Sequence, residues 1–352
     1  MNAPALRAEA DSGFVEFLDR TGASLVIGAL PGSIMCVGVQ RDATMLSATP
    51  IARPIAVAAT PDRLAVATRR GVTVYALSRR LAPHYPAQTN AFDGIFVPVG
   101  ALRLGPCLIH DMLFDGPGLV FANTRFSCLA RSDGPVSFVP MWQPRFISAL
   151  QPDDRCHLNS LAVEPTGRIR YVTAYSQSDI AEGYRANPPD AGVVIDVETH
   201  AIVASGLLRP HSARVFDDQV YVLNSGAGQL LRVDPTTRSV AVLAELQGFT
   251  RGLRRLGDVL LVGFSALRAG AQRDQLPIFA DAGRSEPGIA AVDRLTGRIV
   301  GVLRFTGVIE EVVDFDVVPD ARRLYVQDEA ADRYIGIETP EVSFWMNAER
   351  ER

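Results

Sequence analysis

The sequence lacks an excess of either charge. Its 352 residues carry 35 Lys and Arg against 39 Asp and Glu, which gives a formal net charge of −4. Proteins that bind the backbone of a nucleic acid present clustered positive charge. Nucleic acid is therefore not an expected partner.

Long hydrophobic runs are absent as well. No window reaches the roughly 18 uncharged apolar residues that a membrane span needs. The first residues, MNAPALRAEADSGF, lack the basic segment and apolar stretch of a secretory leader. The sequence therefore predicts no contact with a membrane and a cytoplasmic location.

Cysteine is scarce and unpatterned. The chain has four cysteines: Cys36, Cys107, Cys128 and Cys156. No two of them form a CxxC pair or the spacing of a zinc ribbon, so buried, reduced thiols are expected. Because Cys107 and Cys156 lie close in sequence to His110 and His157, a thiol near a functional site stays open.

The motifs of common cofactors and nucleophiles are also missing. No GxxxxGK[ST], HExxH or GxSxG string occurs, and the stretch from Ser225 to Gly228 lacks the third glycine of a dinucleotide loop. The sequence therefore predicts no nucleotide cofactor and no serine hydrolase.

What the sequence has instead is a pair of short apolar strands that recurs six times. The copies begin at Pro54, His110, His157, His211, Thr250 and Val313. Strand pairs at intervals of about 40 to 60 residues are typical of a β-propeller. The apolar share of 47% is enough for one large core. We therefore predict an all-β chain that forms a single propeller.

The ends of the chain decide the number of blades. Residues 23–48 match the later half of a repeat, so they need an innermost strand from elsewhere, and EVSFWMN (341–347) is the candidate. Counting that blade with the six repeats favours seven blades, at about 50 residues each; six is the alternative. The expected organisation is a lead-in with a short helix (1–22), the propeller (23–347) and a tail (348–352).

Three of the five histidines, His110, His157 and His211, stand at or just before the innermost strands of consecutive repeats. These strands line the central channel of a propeller, so the imidazoles could converge at its mouth as metal ligands or as general bases. Their registers differ by one or two positions, and a slip of one residue turns a side chain to the other face. Structural hydrogen bonds between blades are the alternative role.

Three segments interrupt the repeats: 80–106, 175–192 and 265–288. The last two follow the second strand of their repeats. In an antiparallel blade this places them on the face where the innermost strands begin, as a partial lid over the histidines.

Further polar residues are expected on the same face. Arg251 is grouped with the histidines as a catalytic residue, and Glu311 as a metal ligand beside them. Arg125 and Arg251 could hold an anion, or pair with Glu310, Glu311 or Asp314. The candidate substrate-binding residues are Asp111, Asn123, Arg125, Asn159, Tyr175 and Asn224.

Several strings resemble an uncharacterised bacterial β-propeller family, catalogued as a domain of unknown function. They include IHDMLF, DDRCHLNSLAV and RPHSARVFDDQVYVLNSG, and the resemblance runs from about residue 22 to about 320. It implies no reaction. The signature positions that it implies are His110, Asp111, His157, Asn159, His211, Ser212, Arg251 and the acids near Glu310 and Glu311.

A more distant resemblance, at the level of fold, is to gluconolactonase-like hydrolases and streptogramin-cleaving lyases, which hold one divalent cation at the channel mouth. The larger number of histidines in this chain would shift such a metal toward zinc, iron or manganese. We therefore predict an enzyme, such as a metal-dependent lyase, hydrolase or isomerase, that acts on a small polar or anionic metabolite, or on a modified peptide, with the histidines as a divalent-metal site or as acid–base groups. A non-catalytic propeller that binds a ligand or a protein is the alternative. The sequence predicts no particular oligomeric state.

Overall fold

The computed structural model describes residues 6–133, 136–265, 276–279, 286–328 and 333–348. These residues form six β-sheets arranged as the blades of a propeller. The innermost strand of each blade contacts the innermost strands of both neighbouring blades, so the ring is closed. The all-β propeller predicted from the sequence is confirmed.

We number the blades along the chain and give their strands from the channel outward. Blade 1 consists of Glu311–Val318, Ser24–Leu30, Ser33–Gln40 and Ala43–Pro50; blade 2 of Ala56–Ala59, Arg63–Thr68, Gly71–Ser78 and Gly94–Leu102; blade 3 of Ile109–Asp115, Gly118–Asn123, Cys128–Asp133 and Val136–Trp142. Leu324–Val326 adds a parallel strand to the outer edge of blade 2.

The second half of the ring follows the same plan. Blade 4 consists of Leu158–Val163, Ile169–Ala174, Gly192–Asp196 and Ile202–Leu207; blade 5 of Pro210–Phe216, Gln219–Asn224, Gln229–Val233 and Val240–Glu245; blade 6 of Phe249–Leu256, Val259–Ser265, Gly288–Asp293 and Ile299–Thr306. Arg7–Ala10 adds an outer strand to blade 6.

Blade 1 joins the two ends of the propeller. Ser24–Leu30 pairs with Glu311–Val318 in antiparallel register, so that Gly28 lies opposite Asp314. This confirms that N-terminal strands pair with a C-terminal strand. The favoured count of seven blades is wrong, and the alternative of six is confirmed. The repeat that begins at Val313 supplies the innermost strand of blade 1 and does not build a blade of its own.

The strand expected at 341–347 lies elsewhere. Ser343–Asn347 pairs with Tyr334–Glu338 in a separate hairpin. This hairpin packs beside blade 2, where the Trp345 indole donates a hydrogen bond to the Leu81 carbonyl at 3.0 Å. It closes no blade.

The predicted N-terminal helix spans Ser12–Thr21. The Asp11 carboxylate caps it by accepting a hydrogen bond from the Phe14 amide at 2.8 Å. It ends at Gly22, whose φ of +63° suits the absence of a Cβ. Phe14, Phe17 and Leu18 are buried in the core shared by blades 1 and 6. No helix among the described residues is long and apolar enough to cross a membrane.

Polar side chains on the innermost strands tie neighbouring blades together. In five places a carboxylate or hydroxyl accepts a hydrogen bond from a backbone amide of the next blade. The pairs are Asp314 with Val57, Asp316 with Ala59, Asp111 with Leu161, Ser160 with Ala213, and Ser212 with Gly252, at 2.9 to 3.1 Å. The channel wall is therefore held by polar contacts as well as by the apolar core.

Candidate functional site

The candidate site lies where the innermost strands begin. In blades 3, 4 and 5 the residue before each strand has a left-handed backbone: Leu108, His157 and Arg209 have φ values of 53°, 52° and 52°. These positions are therefore equivalent. His110 and His211 consequently share one position, and His157 stands two residues earlier in its own blade. This explains the difference in register seen in the sequence.

β-Bulges interrupt the innermost strands at this level. The strand register shifts around His110 in blade 3 and around Asn159 in blade 4. In blade 6 it shifts between Thr250 and Leu253, across Arg251. A bulge adds a residue to one strand and redirects its side chain. The bulges thus give these side chains directions that a regular strand would not.

His110 is fixed by hydrogen bonds at Nδ1. This atom lies 3.0 Å from the Leu108 carbonyl and 2.8 Å from Thr124 Oγ1. The Thr124 hydroxyl donates its own hydrogen to the Leu158 carbonyl of blade 4, at 2.6 Å. Both partners of Nδ1 therefore act as acceptors, so Nδ1 carries the proton and Nε2 keeps a lone pair.

His211 repeats this arrangement in blade 5. Its Nδ1 lies 3.0 Å from the Arg209 carbonyl and 2.8 Å from Ser225 Oγ. The Ser225 hydroxyl donates to the Thr250 carbonyl of blade 6, at 2.7 Å. The same tautomer follows, again with the lone pair on Nε2.

His157 is oriented by a carboxylate instead. Its Nδ1 lies 2.8 Å from Asp154 Oδ2, and Asp154 Oδ1 accepts the His157 backbone amide at 3.1 Å. Asp154 is buried. A carboxylate on Nδ1 fixes the direction of the ring and makes Nε2 the atom available to a ligand.

Two of the three imidazoles are in direct contact, and a tyrosine lies between them and the third. The ring centroids of His110 and His157 are 4.9 Å apart. Tyr175 bridges to the third ring, with centroids 4.3 Å from His157 and 5.3 Å from His211. The ring centroid of Tyr184, from the insertion 175–192, lies 4.5 Å from that of His157. The structure therefore brings together His110 and His157 directly, and His211 through Tyr175.

Tyr175 begins a hydrogen-bonded chain. Its hydroxyl donates to Nε2 of His211 at 3.0 Å. Burial raises the pKa of the Tyr175 phenol, against the opposing influence of the positive charges of Arg251 and Arg209. The chain thus runs from Tyr175 through His211 to Ser225.

Burial also governs the charge of the imidazoles. It lowers the pKa of His110 well below the ordinary value of 6.5, and His157 and Arg251 lower it further. The pKa of His211 is lowered for the same first reason, with Arg251 and the other two histidines adding to the effect. Both rings are therefore neutral at pH 7 and present an acceptor, not a positive charge.

A basic cavity of about 180 Å³ opens beside His110. Its polar lining consists of His110, Arg53, Arg69 and Arg251. Arg251 Nη1 lies 3.9 Å from Glu311 Oε2, which is too long for a hydrogen bond, and Arg251 Nε is buried without a hydrogen-bond partner in the described part of the chain. The cavity is smaller than the roughly 300 to 1,000 Å³ of pockets for drug-sized ligands. It suits a small anion.

Other predicted site residues are engaged elsewhere. Asp111 pairs with Arg214 at 2.7 Å in a second cavity of about 280 Å³ in the channel. Asn159 is buried between the His157 carbonyl and the Thr173 hydroxyl. Contact of these residues with a substrate stays a prediction.

The two remaining asparagines and Arg125 belong to turns at the ends of second strands. The Asn123 side chain accepts the Phe126 amide at 3.3 Å, and that of Asn224 accepts the Leu208 amide at 2.6 Å. Arg125 lies in the short helical turn Thr124–Phe126 with its Nε buried and unpartnered. Their binding roles likewise stay predictions.

The described residues contain no group of three or more His, Cys, Asp or Glu arranged to hold a metal ion. The hydrogen bonds explain this. Nδ1 of each histidine is occupied, and Nε2 of His211 accepts from Tyr175, whose ring separates His157 from His211. A metal site formed by these residues would have to displace Tyr175.

The cysteines take no visible part in the site. All four are free and buried. Burial raises the pKa of Cys107 to about 11 and that of Cys156 to about 12, so neither thiol ionises near pH 7. The prediction of buried, reduced thiols is confirmed.

Sequence reasoning missed several residues of the site. The contact of Asp154 with His157 could have been predicted from their spacing of three residues, because a short turn brings the carboxylate back to the imidazole ring. Arg209 and Arg53 are each followed by a proline and have equivalent left-handed backbone conformations, with φ values of 52° and 51°.

Of the insertion 265–288, only 265, 276–279 and 286–288 are described. Leu276 lies near Gly226 in blade 5, and the rest of the insertion lies outside the described residues.

Comparisons with solved structures agree on the fold. The chain is similar to a protein in the crystal structure of a nidogen/laminin complex, with a TM-score of 0.53 and 11% identity over 85% of this chain and 99% of that one. It is also similar to a protein of unknown function from Bacteroides caccae, with a TM-score of 0.50 and 11% identity over 84% and 98% of the two chains. Such low identity carries the fold alone.

No curated protein matches the sequence. One family does. The family described as Domain of unknown function (DUF4915) matches residues 12–326, which span the helix, the six blades and the strand at the outer edge of blade 2. The hairpin of 334–347 lies beyond the match. The chain is therefore a member of the DUF4915 family of β-propellers.

Proposed function

We propose that this propeller is an enzyme that binds a small anionic molecule at the channel mouth and transfers a proton to or from it through a neutral imidazole. One observation carries the proposal: His110 and His157 are in contact, each is held at Nδ1 by an acceptor, and a basic cavity is lined by His110. The arrangement supplies a proton acceptor and a countercharge in the same place.

The chemistry follows from the fixed tautomers. A general base must be unprotonated and within hydrogen-bond reach of the proton that it removes. Nε2 of His157 meets the first condition when Asp154 holds the proton at Nδ1, and the carboxylate stabilises the imidazolium that forms after the transfer. Arg251 would stabilise negative charge that develops on the substrate. Proton abstraction next to a carboxylate is the reaction class that uses both groups.

The proton that His157 takes up has to return to the substrate or leave with a departing group. The imidazolium formed by the first transfer can itself give this proton back from Nε2 and become neutral again, while Tyr175, whose hydroxyl is engaged by His211, packs against the His157 ring. Lyases and isomerases need this second step.

The divalent metal expected from the sequence stays a prediction. It is tested by metal analysis of protein purified without an affinity tag, where one equivalent of zinc, iron or manganese per chain would support it. The cytoplasmic location and the absence of a nucleotide cofactor stay predictions as well.

Solvent exchange tests the proposal before the substrate is known. The protein is incubated in D₂O with a panel of small hydroxy, keto and unsaturated carboxylic acids, and deuterium incorporation at carbon is followed by NMR. We expect catalysed exchange with at least one acid, and its loss in H157Q. The exposed His84, in a short helical turn away from the cluster, supplies the matched control H84Q.

A binding propeller without catalysis is the second candidate. It is favoured by the hydroxyls of Thr124 and Ser225, which join His110 and His211 to carbonyls of the next blade. If the wild type binds acids of the panel but exchanges none of their protons, and H157Q binds them equally well, the binding function replaces the enzymatic one.

A further inference from the structure

The rim of the basic cavity carries two arginines that the proton-transfer chemistry does not use. Arg53 and Arg69 line the cavity with Arg251 and His110, and both are exposed. Neither forms an ion pair with any residue that the structure describes. Two uncompensated positive charges therefore face the same cavity from blade 2.

The backbone holds Arg53 in this place. Its φ of +51° lies in the left-handed region that non-glycine residues rarely adopt, and the buried Pro54 follows it. Ile55 then donates its amide to the Ala67 carbonyl at 2.8 Å. The position of the Arg53 Cα and Cβ atoms is thus fixed by a turn that is hydrogen-bonded to blade 2.

At the equivalent position in blade 5, the guanidinium group of the arginine is bound by other residues of the protein. Arg209 is buried, donates to the Tyr184 carbonyl at 3.2 Å and lies over the Tyr175 ring at 4.9 Å. Among the residues that the structure describes, Arg53 has no such partner. The same local turn therefore places one arginine in the core of the site and leaves the other exposed at its rim.

We propose that the ligand carries two anionic groups, one held by Arg251 beside His110 and the other by Arg53 and Arg69 at the rim. The inference rests on the proposed function and specifies its substrate class: a small dicarboxylate or a phosphorylated carboxylate. The cavity volume of about 180 Å³ limits the distance between the two groups to a short carbon chain. Arginine suits both ends because its planar fork matches the oxygens of carboxylate and phosphate groups.

A titration with acetate and succinate at equal, low ionic strength tests this inference. Binding is followed through the NMR signals of the mouth histidines. We expect wild-type protein to bind succinate about tenfold more tightly than acetate, since each rim arginine adds an exposed ion pair. R53Q/R69Q should lose this preference and keep its affinity for acetate. R251Q should weaken both.

Arg70 provides the matched control, because it is exposed, adjoins Arg69 and does not line the cavity. R70Q should keep the tenfold preference. Equal affinities of the wild type for the two acids, or equal losses in R70Q and R53Q/R69Q, would overturn the second anion site and leave the proposed function intact. If neither acid binds to the wild type, both proposals fail. A phosphorylated acid that displaces succinate, where inorganic phosphate alone does not, would assign the rim group as phosphate.

Discussion

At the scale of single residues, the site depends on which ring nitrogen carries the proton. The hydroxyls of Thr124 and Ser225 each donate to a carbonyl of the next blade, so each can only accept from the histidine beside it. The sequence contains these hydroxyls at equal distances from His110 and His211. It does not contain the direction of their hydrogen bonds, which depends on how the blades meet.

The sequence predicted that the histidines share a face, and the structure brings His110 and His157 into contact, with Tyr175 between His157 and His211. The residues that orient them were harder to predict. Asp154 and Tyr184 come from loops whose conformations follow no strand periodicity, and Tyr175 acts through a contact between blades 4 and 5. The bulges at His110, Asn159 and Arg251 change the direction of a side chain without a sequence signal of their own.

Removing the Tyr175 hydroxyl should destabilise the protein. Tyr175→Phe leaves Nε2 of the buried His211 without its donor, and an unsatisfied buried acceptor costs about 1 to 3 kcal/mol. The free energy of unfolding from urea titrations measures this loss. Tyr184→Phe is the control from the same cluster, because it keeps the bond from Tyr175 to His211. An equal loss in both variants would contradict the role given to that bond.

The buried imidazoles should make stability depend on pH. The pKa values of His110 and His211 are lowered in the folded state, so below pH 6.5 the unfolded chain takes up protons that the folded chain does not. Stability should be highest above that pH and fall as the pH decreases, by at most about 1.4 kcal/mol per pH unit for each ring.

Burial raises the pKa of Asp314 from the ordinary value of 3.8 to about 6, so between these pH values the folded chain keeps a proton that the unfolded chain has lost. This carboxyl therefore stabilises the folded state as the pH decreases through that range, which opposes the effect of the histidines. The comparison is therefore made against H110Q/H211Q, which keeps Asp314. The difference in unfolding free energy between wild type and this variant should decrease from pH 7 to pH 5. A constant difference would show that the rings are not buried as described.

At the scale of strands, the channel is held by charged side chains that span blades. Arg254 of blade 6 donates to Asp316 of blade 1 at 3.0 Å and to the Val57 carbonyl of blade 2 at 3.2 Å. Asp111 and Arg214 form the corresponding pair between blades 3 and 5. Asp111 and Ser212 are signature positions implied by the family resemblance, and their inter-blade bonds supply a structural reason for both residue types.

Neighbouring arginines in one strand should differ sharply in their effect on stability. Arg254→Met leaves the buried Asp314 and the partly buried Asp316 without their cation, and breaking a buried pair costs about 3 to 5 kcal/mol. Arg255→Met removes an ion pair with Asp217, which is about half exposed, and such a pair is worth about 0 to 1 kcal/mol. Denaturant unfolding of both variants measures the contrast. Similar losses would contradict the structural role of Arg254.

At the scale of the whole molecule, the sequence predicted the propeller and its closure but not the number of blades. The repeats show where strand pairs lie, because apolar residues and turns are local features. They do not show which sheet a strand joins. The sequence of Glu311–Val318 resembles the start of a new repeat, yet this strand completes the half-repeat of Ser24–Pro50. No local feature of the sequence distinguishes a strand that begins a new blade from one that completes blade 1.

Closure should be essential for folding. Ending the chain before residue 310 removes the innermost strand of blade 1, leaves Ser24–Leu30 with an unpaired edge, and also removes the Leu324–Val326 strand of blade 2. We expect this truncation to abolish cooperative unfolding in calorimetry. Ending the chain before residue 333 removes only the hairpin that packs on Tyr85, and should lower the melting temperature while keeping one cooperative transition. A folded product of the shorter chain would contradict the pairing in blade 1.

The central claim is that a neutral His110 presents an unprotonated Nε2 at the basic mouth of the channel, and that His211 is held in the same tautomer by Tyr175. Long-range proton–nitrogen NMR of ¹⁵N-labelled protein measures it directly, since five histidines can be assigned by single substitutions. At pH 7 we expect both His110 and His211 to be neutral with the proton on Nδ1, and the His110 signal to shift when succinate is added. A charged ring, or a proton on Nε2 of either residue, would contradict the claim.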